Sequence, residues 1–151
     1  MPFERRPVRY HDDVNVAILK EKLSGEAIVV MSPLAFSKAD GYLYNINGDS
    51  VAAAIAESLH AEKLVFLTNV FGIMRNPHNP DTLISVLNIA QADSLIKEGT
   101  IKDGMVPKVK AAVSAVKKGV KKVHIINGNL QHSILLEVFT DQGIGTEIKN
   151  Q

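Results

Sequence analysis

Two stretches hold side chains whose types and spacing could build a ligand site. The first is Tyr44-Asn45-Ile46-Asn47-Gly48-Asp49-Ser50, with two amides and a carboxylate ahead of the small-residue run Val51 to Ala56. Gly48 suits a sharp bend or a close approach to a ligand. Asp49 or Ser50 can cap the helix that follows, by accepting from its unpaired N–H groups. The second stretch is Gly104-Met105-Val106-Pro107-Lys108. Proline is tolerated in a first helical turn, so Lys108 falls near a helix start. An ammonium and the helical N–H groups there can face the same phosphate. Read only locally, the Asn and Asp residues make a turn and a cap, and Lys108 is a solvated surface lysine.

These groups need a scaffold, and the apolar pattern supplies one. Residues 1–10 read as an extended lead-in, and Asp12 and Asp13 open a helix to about Leu23, with Val14, Ala17, Ile18 and Leu23 facing inward. Ala27 to Met31, Lys63 to Thr68 and Lys122 to Asn127 are short apolar runs of the kind found in buried strands. Leu34 to Ser37 and Tyr42 to Ile46 flank a turn and read as a hairpin. Helices are expected from Ser50 to about His60, from Ile89 to Lys97 behind an Asn88 cap, from Met105 to Lys118, and from Leu130 to Phe139. Gly145 to Ile148 closes the chain as a strand, and residues 75–81 form a surface loop. Helices alternating with strands predict a three-layer αβα fold of α/β class, with a mostly parallel sheet covered on both faces. A strand, a polar turn and a helix start is the geometry of a site beyond the carboxyl ends of such a sheet.

Composition narrows the partners. A chain of 151 residues is read as a single domain, 1–151. Lys and Arg number 17 against 16 Asp and Glu, which gives no reason to propose nucleic acid or membrane as a partner. The lysines Lys117, Lys118, Lys121 and Lys122 lack the aromatic or arginine support of a nucleic-acid patch. With no Cys there is no disulfide framework, thiolate zinc site or cysteine nucleophile, which fits a cytosolic protein. The five His residues show no metal-ligand spacing, so no protein-ligated metal is expected.

The ordered set N-x-N-G-D, L-T-N-V-x-G-I (Leu67 to Ile73) and G-M-V-P-K-V (Gly104 to Val109) resembles the motifs of acetylglutamate kinases, in the amino acid kinase family. The resemblance runs from about Ile28 to Ile148. It implies the carbamate kinase-like fold, in its C-terminal, nucleotide-side half. It also implies ATP with Mg2+ as the phosphoryl donor and N-acetyl-L-glutamate as the acceptor.

By that resemblance Lys108 contacts the phosphoryl group in transfer, where a cation spreads the charge of a metaphosphate-like transition state. Asp49 orients catalytic lysines. Asn45 and Asn47 hold the acetyl and carboxylate groups of the acceptor. Thr68, Asn69, Val70 and Gly72 form the nucleotide contact, with Asn69 standing where the family usually has Asp. His124, Glu137 and Gly143 match positions that bind L-arginine in feedback-inhibited members.

The family's amino half, with its K-x-G-G strand, has no counterpart among these motifs. The expected partners therefore include that half, or a homo-oligomer. Two other readings stay open: a non-catalytic module binding arginine or nucleotide, and a remnant of the kinase-like domain of N-acetylglutamate synthase, which residues 25–32 also resemble.

Overall fold

A computed structural model describes residues 14–25, 27–140 and 143–150. The lead-in at 1–10 and the helix opening at Asp12 and Asp13 lie outside the described residues. Helix α1 (Val16–Leu23) is capped by Asn15, whose Oδ1 accepts from the Ile18 N–H at 3.2 Å. Its inward residue is Leu19, while Ile18 and Leu23 are exposed. The expected inward face was therefore misplaced. Apolar residues lie all round this short helix, so periodicity alone does not choose a face.

The expected buried strand at Ala27–Met31 is not one. The segment is extended and unpaired, with Ile28 and Val30 at 92% and 90% exposure. Strand propensity reflects packing against neighbours, and among the described residues no strand lies beside it. The hairpin does form. Strand β1 (Leu34–Phe36) pairs antiparallel with β2 (Leu43–Asn45), matching Leu34 to Asn45 and Phe36 to Leu43.

Helix α2 (Gly48–Leu59) starts two residues earlier than the expected Ser50. Its cap is Asn47, with Oδ1 accepting from the Ser50 N–H at 3.1 Å, so neither Asp49 nor Ser50 is the cap. Gly48 takes no positive φ and has open space where a Cβ would stand. It marks no backbone bend.

Strand β3 (Lys63–Thr68) follows after a short turn. Strand β4 (Val86–Asn88) runs into α3 (Ile89–Lys97), where Asn88 and Gln91 form a reciprocal capping box. Then come α4 (Met105–Lys117), β5 (Lys122–Asn127), α5 (Ser133–Phe139) and β6 (Thr146–Lys149). The sheet order is β3-β5-β6-β4. Strands β3 and β5 are parallel, as are β4 and β6, and the β5–β6 pair at the centre is antiparallel. The sheet is thus mixed, with helices on both faces.

Alternation along the strands sorts the two faces. Leu64, Phe66, Leu87, Val123, Ile125 and Ile148 point to one side. There they meet Ala53 and Ala56 of α2, Ala92 and Leu95 of α3, and Val109, Ala112, Val113 and Val116 of α4. Each fully buried branched side chain contributes about 1.5–3 kcal/mol. The small residues of α2 allow it to lie close to α4. His124 alternates to the other face, where α5 packs on β5. Helix α5 turns Ser133 and Glu137 inward, four residues apart, and leaves Ile134, Leu135, Leu136, Val138 and Phe139 exposed.

The connections set the rim on which function gathers. Helices α2 and α4 each return through a short turn into β3 and β5, so both run opposite to those strands. Their amino ends therefore stand at the carboxyl ends of β3 and β5, and the loops after Thr68 and Asn127 leave from the same rim.

Candidate functional site

Asp49 lies in the first turn of α2 and Lys108 in the first turn of α4. Lys108 Nζ donates to Asp49 Oδ1 at 2.6 Å, and both side chains are partly buried. On its other side the ammonium lies 4.9 Å from the centroid of the Phe66 ring, within cation–π range. The lysine is thus held by a carboxylate and an aromatic face at a place where two helix amino ends converge. Both ends carry partial positive charge, but the sequence-based expectation of free N–H donors at the start of α4 is not met: the Met105 and Val106 N–H groups donate to the Lys102 and Asp103 carbonyls, and Pro107 has none. Such an arrangement can receive an anion and stabilise charge developing on it. Asn47 precedes Asp49 by two residues, and Asn45 ends the exposed strand β2. The sequence motif therefore sits beside the Asp49–Lys108 pair, with the Asn47 carbonyl oxygen engaged as the helix cap.

The loop after β3 is tied down locally. Thr68 Oγ1 accepts from the Val70 N–H at 2.9 Å and donates to the Val70 carbonyl at 2.8 Å. Asn69 is exposed and Gly72 is buried. Gly72 has φ +154, and a Cβ there would come within 2.7 Å of Thr146 Oγ1. A cleft of about 310 Å³ opens between this loop and the approach to α4, lined by Val70, Gly72, Arg75, Thr100, Lys102 and Met105. Its volume suits a small organic ligand, and Met105 lies one turn before Lys108.

His124, Glu137 and Gly143 come together on the opposite face of the sheet. His124 Nδ1 lies against Glu137 Oε1, and both side chains are 5% exposed. His124 Nε2 is 3.7 Å from Glu147 Oε2. Neither ring nitrogen makes an aligned N–H···O bond among the described residues. Burial holds the imidazole below its usual pKa, and Lys63 pushes the same way. The carboxylates of Glu137 and Glu147 oppose the shift without overcoming it. Burial works to raise the Glu147 pKa, but hydrogen bonds from Lys122 and Lys149 outweigh it and leave the group below the ordinary value. Glu137 Oε2 accepts from the Ile144 N–H at 2.8 Å, and Gly143 sits beside the same carboxylate.

The lysines around Gly119 are each paired to an acid. Lys117 faces Asp93, Lys118 Glu57, Lys121 Glu62 and Lys122 Glu147. This is a neutralised helix end.

Three supporting residues escaped the sequence reading. Phe66 shares a strand face with Leu64, a period-two signal that marks it as buried but not as a partner for Lys108. Glu57 bonds Lys118 at 2.8 Å and Ser114 at 3.2 Å, tying α2 to α4 two turns below the Asp49–Lys108 contact. Thr146 is fully buried, and its Oγ1 accepts from the Ile73 N–H at 2.8 Å. Its one sequence signal is the adjacent Gly145.

Against known proteins, a profile described as the Amino acid kinase family matches residues 4–127. Acetylglutamate kinase from Syntrophomonas wolfei is 48% identical over 138 residues, which is 91% of this chain and 48% of that protein. The chain spans about half the length of the curated relatives it matches. Among solved structures it resembles N-acetylglutamate synthase from Neisseria gonorrhoeae in complex with coenzyme A and L-arginine. The TM-score is 0.83 at 37% identity, covering 93% of this chain and 32% of that one. Carbamate kinase from Giardia lamblia bound to AMP-PNP shares the fold, with TM-score 0.56 at 23% identity over 73% of this chain and 35% of that one. No described helix is long and apolar enough to cross a membrane.

Proposed function

The chain belongs to the amino acid kinase family, and from that membership we propose that it forms the ATP side of a cytoplasmic acetylglutamate kinase in arginine biosynthesis. A side-chain carboxylate oxygen of N-acetyl-L-glutamate attacks the γ-phosphorus of ATP. The bond from that phosphorus to the β–γ bridging oxygen breaks, its electron pair stays with ADP, and an acyl phosphate forms. Lys108 lies against the transferring group and offsets charge on its equatorial oxygens. Asp49 fixes the direction of that ammonium and does not attack. The amino ends of α2 and α4 add positive potential on the same side. Thr68, Asn69, Val70 and Gly72 lie along the nucleotide, and the 310 Å³ cleft beside Met105 takes part of it. Asn45 and Asn47 face the acceptor. Magnesium, carried by the ATP phosphates, would neutralise further charge; among the described residues no three His, Cys, Asp or Glu side chains cluster to hold a metal.

The observation that carries this reading is the 2.6 Å contact between Lys108 and Asp49. Calorimetric titration with MgATP tests it. Weak binding, lost in Lys108→Met, is the expected result, with turnover appearing only when the remaining half of the fold is supplied. No MgATP binding, or binding indifferent to Lys108→Met, overturns the reading.

A second reading, compatible with the first, is an arginine site at His124, Glu137 and Gly143. It is favoured by the buried Glu137 carboxylate, which suits a guanidinium fork, and by the arginine present in the Neisseria synthase structure. Titration with L-arginine decides it, with Glu137→Gln expected to abolish the heat of binding.

A further inference from the structure

We propose that Thr146 is a positioning residue: its hydroxyl holds the nucleotide-side loop in place and couples that loop to the buried His124–Glu137 pair. The proposal rests on the reading of Val70 to Gly72 as a nucleotide contact.

The Thr146 hydroxyl is a fixed point. Thr146 pairs with Ile125 in the antiparallel β5–β6 ladder. Gly145, just before it, lies so close to the Ile125 carbonyl and the Ile126 side chain that a Cβ has no room. The strand start is therefore pinned to β5 from both residues. From there Thr146 Oγ1 accepts from the Ile73 N–H at 2.8 Å, across 73 residues of sequence. Gly72 rides directly on the same oxygen, within a distance that no side chain would permit. The loop is thus seated on a hydroxyl in β6, independently of its own Thr68 turn.

The same short strap reaches the other face of the sheet. Two residues before Thr146, the Ile144 N–H donates to Glu137 Oε2 at 2.8 Å. Gly143 sits against that carboxylate. Residues 143–146 therefore have a buried carboxylate at one end and the loop anchor at the other, with the closely packed Gly145 between them. Glu137 and the Ile73 amide therefore engage the two ends of one four-residue strap, so releasing the Glu137 end loosens the strap and weakens the hold of Thr146 on the Ile73 amide. Bonded neighbours in one packed segment couple energetically, and a double-mutant cycle measures that coupling.

The test uses the full chain with two readouts: amide hydrogen exchange at Ile73 and the dissociation constant for MgATP. Thr146→Val keeps the shape and removes the acceptor; where it fails to fold, Thr146→Ala serves the same arm. Ile73 exchange should accelerate about tenfold, as for loss of one buried hydrogen bond, and the dissociation constant should rise several-fold. Thr146→Ser, which keeps the hydroxyl, should restore both. Glu137→Gln should accelerate Ile144 and Ile73 in the parent but leave Ile73 unchanged in the Thr146→Val background. Unaltered Ile73 exchange in Thr146→Val, a Thr146→Ser variant as impaired as Thr146→Val, or additive effects in the double variant would overturn the proposal. If the parent chain binds no MgATP, the nucleotide reading falls, and the positioning claim stands or falls on Ile73 exchange alone.

Discussion

Lys108 Nζ reaches Asp49 Oδ1 at 2.6 Å although 59 residues separate them, and the contact joins the first turns of α2 and α4. Removing either partner has a distinct consequence. Lys108→Met deletes the cation and should weaken MgATP binding about tenfold or more, as expected for a charge-assisted contact. Asp49→Asn keeps the cation but frees its direction, so binding should fall by a smaller factor. The loss of stability should be about 1 kcal/mol, since the pair is only partly buried. Calorimetry and urea denaturation of the two variants check both statements.

Gly72 and Gly48 should respond oppositely to alanine. Gly72→Ala places a Cβ 2.7 Å from Thr146 Oγ1 and 2.9 Å from Leu83 Cδ1, at a φ of +154. Overpacking with backbone strain should lower stability by about 2–3 kcal/mol. Gly48→Ala meets open space at the start of a helix and should be neutral or stabilising by about 0.5 kcal/mol. Thermal melts of the two variants separate the cases.

Acid should weaken the fold in two windows. The His124 pKa is depressed in the folded state, so between its folded value and the reference 6.5 the unfolded chain binds more protons. Its contribution is full above 6.5 and is lost as the pH falls from there towards the folded value. Glu147 is likewise depressed from a reference of 4.5, and its contribution is lost below that point. Urea midpoints measured from pH 7.5 to 4 should fall in both ranges. His124→Gln should flatten the upper one.

Two ion pairs of similar length should differ in worth. Glu57, whose side chain is 14% exposed, bonds both Lys118 and Ser114. Glu57→Ala should lower stability by about 1–2 kcal/mol by leaving those donors without their acceptor. The Lys121–Glu62 pair, at 2.7 Å, is largely in solvent on both sides. Lys121→Ala should change stability by less than about 0.5 kcal/mol. Denaturant titrations of both variants give the comparison.

The sequence made some of this legible and hid the rest for identifiable reasons. Strands β3 and β5 announce themselves as six-residue apolar runs between turn residues, and α3 by its Asn88 cap. Strand β4 has three residues, too few to show alternation. Ala27–Met31 has the composition of a buried strand, but composition does not say whether a neighbour lies beside it. At the site, Asp49 and Lys108 are motif residues, and their meeting follows once both helices run opposite to their strands. Phe66, Glu57 and Thr146 act only through contacts with distant residues, which no local pattern encodes. Glu137 reads as a solvated helix residue until α5 is seen to turn its polar positions inward.

That inverted helix, together with the bare Ile28 and Val30, gives the molecule a greasy exterior in two places. Surfaces of this kind seek contact, so the isolated chain should depart from ideal solution behaviour well below its melting temperature. Light scattering should climb with concentration. Mild non-ionic detergent should suppress that rise while leaving the Asp49–Lys108 rim intact.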